Sequence, residues 1–187
     1  RQVSRDIIGI FNYLKTNTMK KILTLITVLF ITAPAYAQEY SKKELKSINK
    51  GIEAITKTYD EFDDETDWDS PSLKDVAFYR TKYKDGKVRN YLRIRTVGST
   101  LNVGEKGLTV IFEDGTRFER PDAEIKADAG SGSGWSYRVF EAVNDEELSL
   151  FATKKIKAYK LYIYEGALYG KDPLLTMGYA QGILEAE

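Results

Sequence analysis

Apolar residues first recur at helical spacing. Leu45, Ile48, Ile52 and Ile55 stand three or four positions apart in SKKELKSINKGIEAITKT (41–58). Lys42, Lys43, Lys46, Lys50 and Lys57 fall mostly off that stripe, so one face of a helix is apolar. Ser41 and Glu44 have capping-box spacing at its start. Gly51 weakens this helix without breaking it. Such a helix covers a sheet face or, in the alternative, meets a partner.

The period then changes from 3.6 to two. DVAFYRTKY (75–83) and KVRNYLRIRT (87–96) are β-branched and aromatic runs joined at Asp85-Gly86. That junction predicts a hairpin, because both residues favour the positive φ of a tight turn. LTVIF (108–112), Asp114-Gly115 and TRFER (116–120) predict a second, with its last arm resuming after Pro121 as AEIKA (123–127). GSGSG (130–134) reads as a loop, WSYRVF (135–140) as a strand and KIKAYKLYIYE (155–165) as one long strand. Asn144 and Glu147 repeat the capping box ahead of LSLF (148–151). Asp172-Pro173 opens a last helix, with Asp172 as cap and proline at the first turn. The expected fold is α+β. A mainly antiparallel sheet of about six strands, curved into a half-barrel or sandwich, carries an N-terminal amphipathic helix, a short capped helix and a C-terminal helix.

Not all of the chain belongs to that fold. Met19 is followed by Lys20 and Lys21, the apolar run ILTLITVLFIT (22–32) and APAYA (33–37). This is the order of a signal peptide over 19–37, with Ala35 and Ala37 at the small positions and cleavage before Gln38. The apolar run is 11 residues long, short of the ~20 that span a bilayer, so no stable membrane span is expected after cleavage. Residues 1–18 begin at Arg1 and read as upstream or over-extended translation. Residues 38–187 then form a single mature domain: a leading helix and acidic connector (38–72) and a β-rich body (73–187). The expected location is periplasmic or extracellular.

Composition removes whole classes of chemistry. The chain has no cysteine and no histidine, which excludes His- or Cys-dependent nucleophilic catalysis, His- or Cys-ligated zinc and iron–sulfur sites. No cofactor is expected. Residues 38–187 carry 23 basic and 27 acidic side chains, a formal charge of −4. That field disfavours nucleic acid.

Four constellations remain. DEFDDETDWDS (60–70) places seven carboxylates between Asp60 and Asp69, with Phe62 and Trp68 among them. EF-hand spacing fails, since Trp68 and Lys74 take the glycine and glutamate positions counted from Asp63. A looser cation site from Asp63, Asp64, Asp67 and Asp69 is the alternative to a solvated connector pinned by Phe62 and Trp68. In RNYLRIR (89–95), alternation puts Arg89, Tyr91, Arg93 and Arg95 on one face and Val88, Leu92 and Ile94 on the other. Guanidinium groups interleaved with an aromatic suit a sulfated or carboxylated glycan, or a phosphate. The competing expectation is a solvent face whose arginines pair with Glu119 or Asp75. Trp135, Tyr137, Tyr159, Tyr162, Tyr164 and Tyr169 are residues of the kind that stack on sugars, or else core. Paired carboxylates leave glycoside hydrolysis open, although no feature selects a pair.

Three stretches, DEFDDETDWDSP, KGLTVIFEDGTRF and YRVFEAVNDEELSLFATKKIKAYKLYIYE, together resemble a loosely defined group of small exported domains of Gram-negative bacteria. In that group a K-G-x-x-φ-x-F-x-D-G hairpin precedes a Leu-Thr-x-Glu-Glu/Asp-Leu helix start and a strand beginning Lys-Ile; here Val143-Asn144 replaces Leu-Thr. The resemblance implies an exported β-rich domain and transfers no catalytic residue. The expected function is a non-enzymatic domain that binds a protein, envelope or glycan partner. A carboxylate-dependent glycoside hydrolase and a structural or inhibitory envelope protein are the alternatives.

Overall fold

A computed structural model describes residues 40–71, 75–130 and 134–187. The expected signal peptide, the upstream segment and the centre of the GSGSG loop lie outside the described residues. The chain forms α1 (Lys42–Ile52), β1 (Thr56–Asp60), β2 (Glu65–Asp69), β3 (Val76–Lys82), β4 (Val88–Gly98), β5 (Lys106–Phe112), β6 (Arg117–Glu124) and β7 (Lys126–Ala129). It continues with β8 (Trp135–Val143), α2 (Asp145–Thr153), β9 (Ile156–Leu161), β10 (Tyr164–Ala167) and α3 (Asp172–Leu184). The fold is α+β, and its strands form two antiparallel sheets that do not close into a barrel. One has the order β1-β2-β3-β4-β8-β7 and the other β10-β9-β5-β6.

The described residues hold ten strands, more than expected, and the extra ones have local causes. The leading helix stops at Ile52 instead of reaching residue 58. Thr56, Thr58 and Tyr59 suit a strand better than a helix, and Thr56–Asp60 pairs residue by residue with Glu65–Asp69. The acidic connector is therefore a hairpin. Trp68 is buried beneath it, but Phe62 sits in its turn and is 100% exposed, so only one of the two expected anchors holds. The long strand expected over 155–165 breaks at Tyr162-Ile163, where Leu161 and Tyr164 pair across a two-residue loop. Tyr162 takes a positive φ of 54° with none of the usual turn residues present. Beyond Pro121, β6 continues to Glu124, and β7 then pairs with β8 in the other sheet. Proline is tolerated there because β6 is an edge strand.

Both Asp-Gly hairpins form, though only the glycines take positive φ, 80° at Gly86 and 84° at Gly115. The aspartates work differently: the Asp85 carboxylate accepts the Lys87 N–H at 3.0 Å and Asp114 accepts that of Thr116 at 2.9 Å. Both capping boxes close, Ser41 with Glu44 and Asn144 with Glu147. The third expected cap does not. Lys171 is the N-cap of α3 without a side-chain bond, and Asp172 lies buried inside the first turn.

Inward residues of both sheets share one core with α2 and α3. Phe151 of α2 lies between Phe78 of one sheet and Phe112 and Phe118 of the other. Helix α3 packs against α1, α2 and β3, and nearly every one of its residues is buried. Helix α1 is also held by the Lys155 ammonium, 3.0 Å from Glu44.

Hydrogen bonding from Lys155, then from the Ser41 amide and hydroxyl, pulls the Glu44 carboxyl from an ordinary 4.5 down to about 2. Lys154 and Thr116 pull Asp114 down to about 2 in the same way. A depressed carboxyl contributes stability that is complete above its unfolded value and lost as pH falls through the folded one. Denaturation midpoints are therefore expected to fall as pH drops from 4.5 towards 2, and Glu44→Gln to flatten that decline. Urea titrations of both proteins across this range check it; parallel profiles would reject the assignment.

Candidate binding face

Strand β4 alternates as expected. Asn90, Leu92, Ile94 and Thr96 are buried, while Arg89, Tyr91, Arg93 and Arg95 take the opposite face. Val88 has the inward parity but lies at the strand's start and is half-exposed. Asn90 is the polar exception among the inward residues. Its side-chain amide donates to Asp145 Oδ1 at 2.7 Å, and its carbonyl oxygen accepts from Arg80 Nη1 at 3.2 Å. This bond set ties β3 and β4 to the first turn of α2.

The register supplies what β4 alone does not. Tyr79 stands opposite Tyr91, and Arg93 opposite Phe140. The Phe140 ring stacks on Tyr91 with centroids 4.9 Å apart and 22° between planes, and it meets Tyr79 at 5.5 Å. Three aromatic residues from β3, β4 and β8 thus form a ridge across the outer face. Phe140, at its end, is 53% exposed. Arg93 lies over Tyr79 at 6.0 Å and Arg89 over Tyr83 at 5.4 Å. The Tyr83 and Tyr91 hydroxyls are 2.9 Å apart, which pushes the Tyr83 phenol above its ordinary value.

One of the two expected arginine pairs forms. Arg95 Nε lies 3.0 Å from Asp75, whereas Glu119 pairs with Arg117 on the other sheet. Arg138 of β8, opposite Arg95 in register, pairs with Asp128 at 3.1 Å. Two concavities of about 500 and 440 Å³ adjoin the ridge, and Arg93 and Arg138 line both. The first is also lined by Lys126, Phe140 and the carboxylates Asp122, Glu124 and Glu141; the second is also lined by Arg95, Asp128 and Ser136 and by the backbone at Ala129-Gly130.

The acidic stretch belongs to this same face. Asp69 stands opposite Tyr79 and Asp67 opposite Thr81, and Thr81 Oγ1 donates to Asp67 at 2.6 Å. Glu65 shares their parity. Burial raises the Glu65 and Asp69 carboxyls above their ordinary values, and the repulsion of neighbouring carboxylates adds to it. Asp63 and Asp64 lie instead in the β1–β2 turn, where Asp64 accepts from the Tyr59 hydroxyl at 2.7 Å. The four aspartates therefore do not converge. Among the described residues no group of three or more carboxylates is placed to hold a metal.

The other expected aromatic set divides. Tyr137 and Tyr159 are core, and Tyr164 stacks on Tyr137 at 4.3 Å. Trp135 packs against the core edge, so Trp135, Tyr162 and Tyr164 form no exposed cluster. Tyr169 is 71% exposed beside a 520 Å³ groove on the four-stranded sheet, floored by Ala158 and Ala167. Of the residues missed from sequence, Tyr79 and Tyr83 lie on the arm of the Asp85-Gly86 hairpin that faces β4, so the expected hairpin could have found them, whereas Phe140 and Arg138 lie on β8, whose pairing with β4 no local pattern encodes. No protein-family model, curated protein or solved structure matches the chain.

Proposed function

We propose that this chain is an exported, non-enzymatic domain that binds a protein or glycan of the envelope through the outer face of its six-stranded sheet. One observation carries the reading: the Tyr79–Tyr91–Phe140 ridge ends in a half-exposed phenylalanine bordered by Arg93 and Arg138. Folding alone places no demand for that arrangement on a solvent face, and exposed aromatic and arginine side chains are the usual anchors of recognition. The concavities beside the ridge offer mixed charge, suited to sugar hydroxyls, carboxylates or a polar protein surface. Carboxyls with strongly depressed values support the non-enzymatic reading by their positions: Glu44 serves a helix cap and Asp114 a hairpin turn. The signal-peptide pattern over 19–37 supports export. Among the described residues no helix is long and apolar enough to cross a membrane.

The test is a panel of sulfated, uronate-bearing and neutral glycans with inorganic phosphate, applied to wild type, Arg93→Ala and Phe140→Ala. Binding that falls about tenfold or more in either variant is expected, in line with loss of a central anchor. Equal binding by all three proteins would reject a glycan or anion as the partner on this face.

A further inference from the structure

The outer face is electrically two-sided. Glu65, Asp67 and Asp69 occupy β2, whereas Arg89, Arg93 and Arg95 occupy β4 and Arg138 occupies β8. Strand β3 separates the two fields and carries Tyr79, one end of the aromatic ridge. From β2 to β8 is about 14 Å, three strand spacings. The ion pairs of the basic side are local, Arg95 with Asp75 and Arg138 with Asp128. On the acidic side burial, with repulsion from neighbouring carboxylates added to it, raises the proton affinity of Glu65 and Asp69. A surface that is acidic on one side and basic on the other complements itself. A two-fold axis lying across the ridge, perpendicular to the line joining the fields, sets each acidic field against the basic field of a second copy.

We infer that a second copy of this chain is a partner of the outer face, docked as an isologous, face-to-face dimer whose axis runs along β3 and β4, over Tyr79 and Tyr91, with Phe140 flanking it. The inference rests on the proposal that this face is a docking surface, and it names the occupant. Stacked sheets pack face to face at about 10 Å, which suits side chains of this length. The sheet is roughly 24 Å across and about 20 Å along its strands, so two copies cover on the order of 1,000 Å². That is the low end for a specific interface, and it implies a reversible dimer in which an aromatic centre and a charged rim share the work. An axis parallel to the line between the fields would set like charge on like and is disfavoured.

Sedimentation velocity of the purified protein across a wide concentration range is expected to show a monomer–dimer equilibrium that weakens as salt rises. Glu65→Lys with Asp67→Lys makes the face net basic, with Asp69 kept, and Arg89→Glu with Arg138→Glu makes it net acidic, with Arg93 and Arg95 kept. Each doubly substituted protein alone is expected to dimerise at least about tenfold more weakly, and an equimolar mixture of the two to recover association. A measurement free of charge changes uses the absence of native cysteine. Ala142→Cys, on the exposed face of β8, accepts a single spin label, and dipolar coupling between labels is expected at high concentration and not at low.

A protein that stays monomeric at ~1 mM, or an unrecovered mixture of folded variants, overturns the inference. So does the absence of label coupling, even if the charge-reversed proteins fail to fold. Panel ligands lost in Phe140→Ala from a monomeric protein would leave the docking face standing and remove only the dimer. If Phe140→Ala and Arg93→Ala altered neither panel binding nor association, the docking face itself would fall.

Discussion

Phe151→Ala is expected to lower the free energy of unfolding by about 3–5 kcal/mol. Phe151 is fully buried, and its ring meets Phe78, Phe112 and Phe118 edge-on with centroids 5.5, 5.4 and 5.1 Å away. Phe78 belongs to β3 in one sheet; Phe112 and Phe118 belong to β5 and β6 in the other. The ring therefore fills the point at which both sheets and α2 converge. Truncation removes the transfer free energy of the ring and leaves a cavity that three facing aromatics cannot easily close. Single domains are stable by only about 5–15 kcal/mol, so the loss is a large share of the total. Urea denaturation followed by circular dichroism measures it, with Phe151→Leu as a milder comparison. A loss below about 1 kcal/mol would mean that the core collapses onto the site at little cost.

The features legible in the sequence are those that neighbours along the chain decide. Ser41 with Glu44 and Asn144 with Glu147 form caps within four residues, and Asp85-Gly86 and Asp114-Gly115 turn the chain within three. The outward parity of Arg89, Tyr91, Arg93 and Arg95 was equally local, since alternation along one strand fixes it. The β1–β2 hairpin was not legible. Its strands carry Lys57, Asp60, Glu65, Asp67 and Asp69, so neither shows an apolar stripe; pairing with β3 decides the conformation of β2, and pairing with β2 that of β1. Tyr162-Ile163 turns the chain without glycine, asparagine or aspartate, so nothing in the sequence marks it. The face itself lay between these cases. Arg93 was visible, but Phe140 stands opposite it through a pairing of strands that are 47 residues apart in sequence. That the acidic run and the arginine strand share one surface follows only from the strand order.

Gly178→Ala is expected to destabilise the protein, against the sign that helix propensity alone gives. Alanine is better than glycine within a helix by about 1 kcal/mol, and Gly178 lies inside α3. A methyl group there, however, would stand 2.1 Å from the Ile48 carbonyl oxygen and 2.9 Å from Gly51 Cα. Both opposing atoms are backbone of α1 and cannot swing aside as a side chain would. The opposite side is nearly as tight: a Cβ on Gly51 would lie 2.5 Å from the Leu175 carbonyl oxygen and 2.8 Å from Gly178 Cα. The two glycines thus let α1 and α3 cross with their backbones nearly touching, which explains a glycine in the apolar stretch of α1. Relieving the clash means moving α1 outward, and overpacking of this kind costs about 1–3 kcal/mol, occasionally more. For a domain near 150 residues that is a fall of roughly 3–10 °C in Tm. Gly182→Ala is the graded control, because the nearest atom there is Ile55 Cγ1 at 2.6 Å, a side-chain atom that can shift, and the nearest backbone, Ile52 Cα and its carbonyl oxygen, stands farther off at 3.2 Å. Hydrogen exchange should show the loss in α1 before the sheets, since α1 is the element displaced. Gly51→Ala combined with Gly178→Ala should cost less than the sum of the single changes, because one displacement of α1 relieves both clashes. Full additivity, or a Tm for Gly178→Ala at or above wild type, would show that the crossing is looser than these distances require.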